Sequence, residues 1–251
     1  MNEQLKLENI REVLIRQEET IIFALIERAQ FAINNIIYKP GGIPLSDFSG
    51  SFSDYLLYGT ECNHAKVRRY LSPDEHPFFD NLPQPVLLSI DIDSPLMENS
   101  INLNDTIRKT YINNFLPYIC EGGDDGQYGS SAVCDVNCLQ SLSKRIHYGK
   151  FVAESKYLSD KEGYRKLIIA KAEDEIMEKL TNKIVEEKLL NRVLIKSRTY
   201  GKEPERMDQK YKVKPEFIKN IYEKWIIPLT KKVEVDYLLG RYRVSDVRNK
   251  N

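Results

Sequence analysis

The stretch DVNCLQSLSKRIHYGKFVAESKY, residues Asp135 to Tyr157, decides the fold. It has no proline and a single glycine, which predicts one continuous helix. Steps of three or four residues define one face of that helix, made of Leu142, Arg145, Gly149, Val152 and Lys156. Two cations on an otherwise apolar face fit neither a solvated surface nor a plain core. Because buried cations need anionic partners, another side chain or an anionic ligand must face them.

Helical patterns continue along the rest of the chain. Apolar residues at helical spacing predict helices over roughly 7–34, 52–71, 104–120, 161–170, 172–200 and 215–241, the last kinked at Pro228. The segment VLLSI at 86–90 fits a short strand, but extended chain crossing a helical surface is the better prediction because no partner strand is evident. Since strands and helices do not alternate, we expect an all-α fold, a single-domain bundle of long helices with long connecting loops.

Composition and charge exclude several classes of protein. The 251 residues include 37 Lys and Arg and 37 Asp and Glu, so the basic excess of a broad nucleic-acid surface is missing. The N-terminal segment MNEQLKLENIREVL lacks the features of a secretory signal, and no apolar run approaches membrane-spanning length. Cys62, Cys120, Cys134 and Cys138 match no zinc spacing. We interpret them as free thiols in a reducing cytosol, which predicts a cytoplasmic protein.

Three other predicted helices also carry polar residues on an apolar face. Together with the two cations of the first stretch, the set is Arg11, Arg145, Lys156, Asn182, Glu186, Thr230 and Glu234. Ion pairs and hydrogen bonds between packed helices explain any one pair. The whole set favours a polar pocket inside the bundle. If one glutamate is protonated there, at least two cations remain for an anionic ligand, and two arginines on different helices suit two carboxylates.

The sequence lacks the motifs of covalent, metal or nucleotide chemistry. No serine, cysteine or lysine stands beside a base in a recognisable nucleophile motif, and the three histidines have no partner at metal-ligand spacing. The loop from Gly122 to Gly129 follows a helix rather than a strand and lacks the lysine of a phosphate-binding loop. We therefore expect no metal and no cofactor, and a site that binds a ligand or works by shape and electrostatics alone.

Five stretches carry a resemblance to a known family. They are LENIREVLIRQEETIIFALIERAQF, KVRRYLSPDEHPFF, CLQSLSKRIHYGKFVAESKY, NKIVEEKLL and IIPLTKKVEVDYLL. Through them the chain, from about Leu7 to Leu239, resembles the all-helical, allosteric chorismate mutases of fungi and plants. The resemblance implies a homodimeric enzyme that converts chorismate to prephenate by a pericyclic rearrangement, on the route to phenylalanine and tyrosine.

The resemblance also implies roles for the polar set. Arg11 and Arg145 would hold the two carboxylates of the substrate. Lys156 would donate to the ether oxygen whose bond breaks, and a protonated Glu234 would share that oxygen. Gly149, between the two cations, would leave room for the substrate ring.

The other three positions would complete the pocket. Glu186 and Asn182 would bind the hydroxyl end of the substrate, and Thr230 would support the carboxylate side. The catalytic helices would then be about 7–34, 135–157, 172–200 and 215–241, with residues of about 40–134 forming the regulatory and dimer region.

Regulation is implied by the resemblance as well. In this family tyrosine inhibits and tryptophan activates, both at the dimer interface. Arg68 and Arg69 would hold the effector carboxylate, with Gly129 and Ser130 of the glycine-rich loop beside it. A basic helix end explains the two arginines equally well.

Four positions depart from the fungal pattern near the effector site. Gly126 and Gln127 stand in place of two asparagines, Val133 replaces a threonine, and Lys214 replaces a threonine before the proline that opens the last helix. The loss of small polar donors would weaken effector contacts, and Lys214 would alter the balance between active and inactive states.

Two functions of other classes compete with the enzyme. One is a helical dimer that binds aromatic amino acids without catalysis, and the other is a structural adaptor whose buried polar pairs only fix helix register. The intact set of seven polar residues favours the enzyme, because loss of function erodes a pocket.

Overall fold

The computed structural model describes residues 3–90, 92–202 and 211–248. Its α-helices are α1 (Leu7–Arg28), α2 (Phe52–Lys66), α3 (Asn104–Thr110), α4 (Leu116–Ile119), α5 (Tyr128–His147), α6 (Gly149–Ser159), α7 (Lys161–Ala170), α8 (Glu173–Leu180), α9 (Lys183–Tyr200), α10 (Pro215–Ile221) and α11 (Ile227–Arg248). In these ranges the only β-type pairing is an isolated bridge between Lys202 and Tyr211. The all-α prediction is confirmed. None of these helices has both the length and the apolar character needed to cross a membrane.

Two apolar clusters form the core, and α11 contributes residues to both. The first cluster joins α1, α5 and α10 and includes Leu142, Ile146 and Val233. The second joins α6, α7, α8 and α11 and includes Phe151 and Val235. Val233 and Val235 of α11 therefore belong to different clusters, and Glu234 stands between them in the sequence.

The first helix is shorter than predicted. It ends at Arg28 rather than near residue 34. The Arg28 side chain is fully buried, and its Nη atoms donate to the carbonyls of Phe31 (3.2 Å), Ala32 (3.0 Å) and Ile33 (3.0 Å). These carbonyls receive hydrogen bonds from a side chain instead of from the next helical turn, so the chain can leave the helix without burying unpaired groups.

The stretch predicted as one helix from 135 to 157 is two helices. α5 begins at Tyr128, inside the glycine-rich loop, because the Asp125 carboxylate accepts from the backbone N–H of Gln127 (2.8 Å) at the helix start. The same carboxylate accepts from the N–H of Ala32 (2.8 Å). The helix then breaks at Tyr148, whose ring stacks on Phe151 with centroids 4.5 Å apart.

The helix predicted over 172–200 is also two helices. α8 ends at Leu180, and Thr181 has extended backbone angles. The Asn182 side chain then caps α9 by accepting from the N–H of Val185 at 3.1 Å. Apolar residues continue at helical spacing across this break, so periodicity alone missed it.

Proline positions explain the two π-helical segments. Tyr111–Phe115 and Tyr222–Ile226 each end two residues before a proline, Pro117 and Pro228 respectively. A proline inside a helix has no N–H to donate and its ring crowds the preceding turn. The wider π turn is where the chain accommodates both effects. The irregularity predicted at Pro228 therefore lies just before it, and the last helix continues to Arg248 rather than to about residue 241.

The long connection from α2 to α3 lies on the surface. The predicted second helix ends at Lys66 rather than residue 71, and Arg68 has a left-handed φ of 66°. Residues 86–90 form no strand, and the side chains of Val86 and Leu88 are exposed rather than packed across a helix. The buried Glu61 carboxylate fixes an earlier part of the connection by accepting from the N–H of Phe78 at 2.9 Å.

Candidate active site

A close approach of α6 to α11 brings the polar residues together. Gly149 begins α6, and a Cβ atom there would lie 2.9 Å from the carbonyl oxygen of Thr230 and 3.2 Å from Cγ of Glu234. No side chain fits in that space. The prediction that Gly149 leaves room for a substrate ring is therefore wrong, because the space is occupied by α11.

Arg145 supplies a buried guanidinium with few partners. The residue lies on α5 and is 3% exposed. Its Nη1 donates to Thr230 Oγ1 at 3.4 Å, while Nε is buried without a hydrogen-bond partner. Burial lowers the pKa of Arg145, although nearby groups including Glu18 and Glu234 oppose this effect. A guanidinium has five donors, so most of its capacity is left for an anionic ligand.

Lys156 lies on α6 and faces both α8 and α11. Its ammonium donates to the carbonyl of Leu180, the last residue of α8. The helix break at Thr181 leaves this carbonyl without a partner of its own helix. Lys156 Nζ is also 4.0 Å from a carboxylate oxygen of Glu234.

Glu234 stands in the sequence between one residue of each apolar cluster. It is 6% exposed, and burial raises its pKa to about 7. The cations of Lys156, Arg145 and Lys231 oppose that rise, and the charge of Glu186 adds to it. Near neutral pH the carboxyl group therefore exists both as a hydrogen-bond donor and as an anion.

Glu186 and Thr230 complete the cluster around these three residues. The Glu186 carboxylate on α9 pairs with Lys231 on α11 at 2.7 Å. Thr230 Oγ1 accepts from Arg145 and donates to the carbonyl of Ile226 at 2.7 Å. The structure thus brings together five of the seven predicted residues.

Arg11 and Asn182 lie outside this cluster. Arg11 is exposed on α1, at a cavity of about 260 Å³ between α1 and α9. Asn182 is exposed, and its side-chain oxygen caps α9. In the described part of the chain, Arg11 has no hydrogen bond or ion pair to the other five residues. Asn182 has one, in which its backbone carbonyl accepts from the N–H of Glu186 at 3.0 Å.

Two charged residues near the site, Glu18 and Lys231, could not be identified as site residues from the sequence. Glu18 is fully buried on α1, and both its carboxylate oxygens accept from Arg192 on α9, at 2.6 and 2.8 Å. In the sequence Glu18 is one polar residue in an apolar row at helical spacing, between Leu14 and Ile22. Lys231 stands between Thr230 and Glu234, but a second lysine follows it, so the sequence does not show which of the two faces inward.

Comparison with known proteins decides the family. Residues 127–235 match the family model described as chorismate mutase type II. The chorismate mutase of Schizosaccharomyces pombe is 48% identical over 246 residues, which cover 96% of this chain and 98% of that relative. The chain belongs to the chorismate mutase family.

Solved chorismate mutases share the fold. Aro7p chorismate mutase from Candida albicans, in complex with L-Trp, aligns with a TM-score of 0.91 and 45% identity, over 96% of this chain and 93% of that one. AtCM1 with tyrosine bound in its allosteric site aligns with a TM-score of 0.88 and 47% identity, over 96% and 98% of the two chains. This chorismate mutase is accordingly an isomerase that converts chorismate to prephenate.

The predicted effector residues of this chorismate mutase form two separate groups. Arg68 donates to the carbonyl of Leu88, and Arg69 pairs with Glu75 at 3.1 Å. Gly129 and Ser130, predicted in a loop, are exposed in the first turn of α5. No hydrogen bond or ion pair joins the two groups in the described part of the chain.

Proposed function

We propose that this chain rearranges chorismate to prephenate in the pocket between α5, α6, α9 and α11. The catalytic residues are Arg11, Arg145, Lys156 and Glu234, and the substrate-binding residues are Asn182, Glu186 and Thr230. The observation that carries this proposal is the buried Arg145 guanidinium, whose Nε has no partner, beside a Glu234 with a raised pKa. The site offers donors where an anionic substrate needs them.

The ether oxygen of chorismate fits between Lys156 and Glu234. In the reaction this carbon–oxygen bond breaks while a carbon–carbon bond forms, and negative charge grows on the oxygen. Lys156 Nζ and the Glu234 carboxyl oxygen are 4.0 Å apart, so one oxygen atom can accept from both. Donors already fixed in a buried site stabilise the developing charge without reorganising.

The carboxylates of the substrate are assigned to the two arginines. Arg145, steadied by Thr230, holds one of them inside the pocket. Arg11, which lines the cavity of about 260 Å³ between α1 and α9, takes the other when the substrate enters. Two fixed carboxylates hold the compact conformer in which the reacting carbons meet, and this removes an entropic part of the barrier.

A direct assay tests this function. Purified protein is mixed with chorismate, and the loss of its ultraviolet absorbance and the formation of prephenate are followed. Saturable turnover supports the enzyme. Absence of turnover, with binding of aromatic amino acids retained, would instead support the inactive helical dimer.

Effector control and dimer formation belong to the same proposal. Relatives have been solved with L-Trp, tyrosine or phenylalanine bound, the latter two in an allosteric site. Arg69 also donates to Gln140 on α5, and Gln140 lies ten residues from Ser130 on that helix. At a helical rise of 1.5 Å this is about 15 Å, too far for one amino acid to contact both groups. A second copy of the chain can bring Gly129 and Ser130 to the arginines, so we propose a homodimer with tyrosine and tryptophan as effectors.

Sedimentation analysis and turnover with each amino acid added test this part of the proposal. A monomer at micromolar concentration would contradict the dimer, and unchanged turnover would contradict effector control.

For location we propose the cytoplasm, because the four cysteines are free, as in a reducing compartment. Some plant relatives are chloroplastic, so imaging of the tagged full chain in its own cells decides between the two.

A further inference from the structure

We propose that Lys231 is a positioning residue of the active site, which orients the Glu186 carboxylate toward the hydroxyl end of the substrate. This inference rests on the proposed function. It concerns a residue outside the seven assigned above, and it makes Lys231 act through Glu186 rather than by touching the substrate.

The geometry places Lys231 between two elements of the site. Its ammonium is 2.7 Å from Glu186 Oε1, so the pair joins α11 to the first turn of α9. On its own helix Lys231 is adjacent to Thr230 and three residues before Glu234, which puts Lys231 and Glu234 on the same face. Its side chain is 20% exposed, so it lies at the wall of the pocket rather than in open solvent.

One oxygen of Glu186 is committed to Lys231, and the other is available. Oε2 of Glu186 has no hydrogen bond or ion pair within the described part of the chain. A glutamate side chain has three rotatable bonds, and an ion pair at one oxygen reduces the directions in which the other can point. The free oxygen can then accept from a substrate hydroxyl without first being ordered.

The same ammonium also contributes to the charge balance at Glu234. The groups that act on Glu234 are Lys156 from α6, Arg145 from α5, Glu186 from α9 and Lys231 from α11, and Tyr164 on α7 responds to its charge. Lys231 lowers the pKa of Glu234, whereas Glu186 raises it. Removing Lys231 and removing Glu186 therefore shift the titration of Glu234 in opposite directions.

The test compares Lys231→Met with Lys232→Met. Lys232 is the next residue of α11, and its ammonium pairs with Asp236 at 3.0 Å on the exposed side of the helix. We expect Lys231→Met to raise KM roughly tenfold, the loss expected for a weakened hydrogen bond to a charged group. Lys232→Met leaves KM within about twofold of the starting protein.

Two further readouts separate positioning from a merely structural ion pair. In Lys231→Met the alkaline limb of kcat/KM moves to higher pH, because the neutral form of Glu234 persists longer, and in Glu186→Gln it moves to lower pH. Lys231→Arg restores both KM and the pH profile. In the Glu186→Gln background, Lys231→Met adds little further loss in KM, since both act on the same contact.

A lowered unfolding midpoint in Lys231→Met, with unchanged KM and an unchanged pH profile, would overturn the proposal and leave the pair a structural link. Lys231→Gln, which is less drastic, gives the same measurements if the Met variant does not fold. Absence of turnover in the unaltered chain would instead contradict the proposed function, so the two failures are distinct.

Discussion

Arg28 and Arg145 are both buried arginines, on the neighbouring helices α1 and α5, and they differ in what surrounds them. The Arg28 guanidinium pairs with Asp135 at 2.6 Å and donates to three backbone carbonyls and to Tyr38. Arg145 has one long hydrogen bond, to Thr230, and an unpartnered Nε. The fold supplies Arg28 with an anionic partner and several acceptors, whereas it leaves the Nε of Arg145 without a partner.

The pKa values of the two arginines respond accordingly. Burial alone lowers the pKa of either guanidinium, but the adjacent Asp135 carboxylate raises that of Arg28 well above its usual value. For Arg145 burial prevails and the pKa is lowered. Burial of a cation therefore does not indicate function by itself. Function is indicated instead by buried donor groups that the fold leaves without a hydrogen-bond partner, such as the Nε of Arg145.

Replacing Arg145 should have the largest effect on activity. We expect Arg145→Ala to lower kcat/KM by about 10³-fold or more, because a preorganised charge contact is lost. Its unfolding free energy should change little, because the lost packing and the long hydrogen bond to Thr230 are offset by no longer burying a poorly paired cation. Steady-state kinetics and urea unfolding measure the two quantities, and near-normal turnover would place the carboxylate site elsewhere.

Replacing Arg28 should give the opposite pattern. Arg28→Met leaves the Asp135 carboxylate buried without its cation, which should cost about 3–5 kcal/mol of unfolding free energy. Chemistry in any folded fraction should persist at a rate close to that of the starting protein. Urea unfolding of this variant beside Arg145→Ala makes the comparison direct, and equal stability of the two variants would contradict it.

Gly149 tests whether the site depends on the close packing of α6 against α11. In Gly149→Ala the new methyl group meets the Thr230 carbonyl at 2.9 Å, so we expect a loss of about 1–3 kcal/mol in stability together with lower turnover. Gly59 in α2 is a matched control, because a methyl group added there would have no atom within 4 Å. Gly59→Ala should stabilise the fold by about 0.5–1 kcal/mol through helix propensity.

The pH dependence of activity tests the role of Glu234 without replacing any residue. In the proposed mechanism Glu234 acts in its protonated form, so kcat/KM should fall about tenfold per pH unit above pH 7, the value to which burial raises its pKa. The pKa of Glu234 in the unfolded chain is 4.5, so the stability it contributes is complete below that pH and is lost as pH rises through about 7. Burial raises the pKa of Glu61 to about 7 as well, so a stability profile combines the two groups. The activity profile isolates Glu234, and Glu234→Gln should flatten it.

Much of the site could be predicted from sequence because helical spacing is a local property. Arg145, Lys156 and Glu234 stood out as polar residues on apolar faces, and they lie together in the structure. The resemblance to a known family supplied their roles, which spacing could not. Lys231 was missed because the sequence does not show which of the two adjacent lysines faces α9. In the structure Lys231 pairs with Glu186 on α9, whereas Lys232 pairs with Asp236 on its own helix.

The helix boundaries were less predictable because distant contacts set them. The end of α1 depends on the Arg28 side chain, and the start of α5 depends on Asp125, which contacts Ala32 more than ninety residues earlier in the chain. The break before α9 had a local signal in the capping residue Asn182, but the apolar repeat on both sides outweighed it. Spacing reports which face is buried, and it does not report where a helix must stop.

The hydrogen bonds of Asp125 have a mechanical consequence. They tie the chain just after α1 to the first turn of α5. Arg11 lies 17 residues before Arg28, and Arg145 lies 17 residues after Tyr128, so the two helices extend from this tie as arms of about 25 Å each. A rotation of about 2° at the tie would displace an arginine at the far end by about 1 Å, a misplacement that can change a rate about a hundredfold. For the carboxylate contacts proposed for Arg11 and Arg145, the hydrogen bonds of Asp125 in the glycine-rich loop thus help to set the position of one arginine relative to the other.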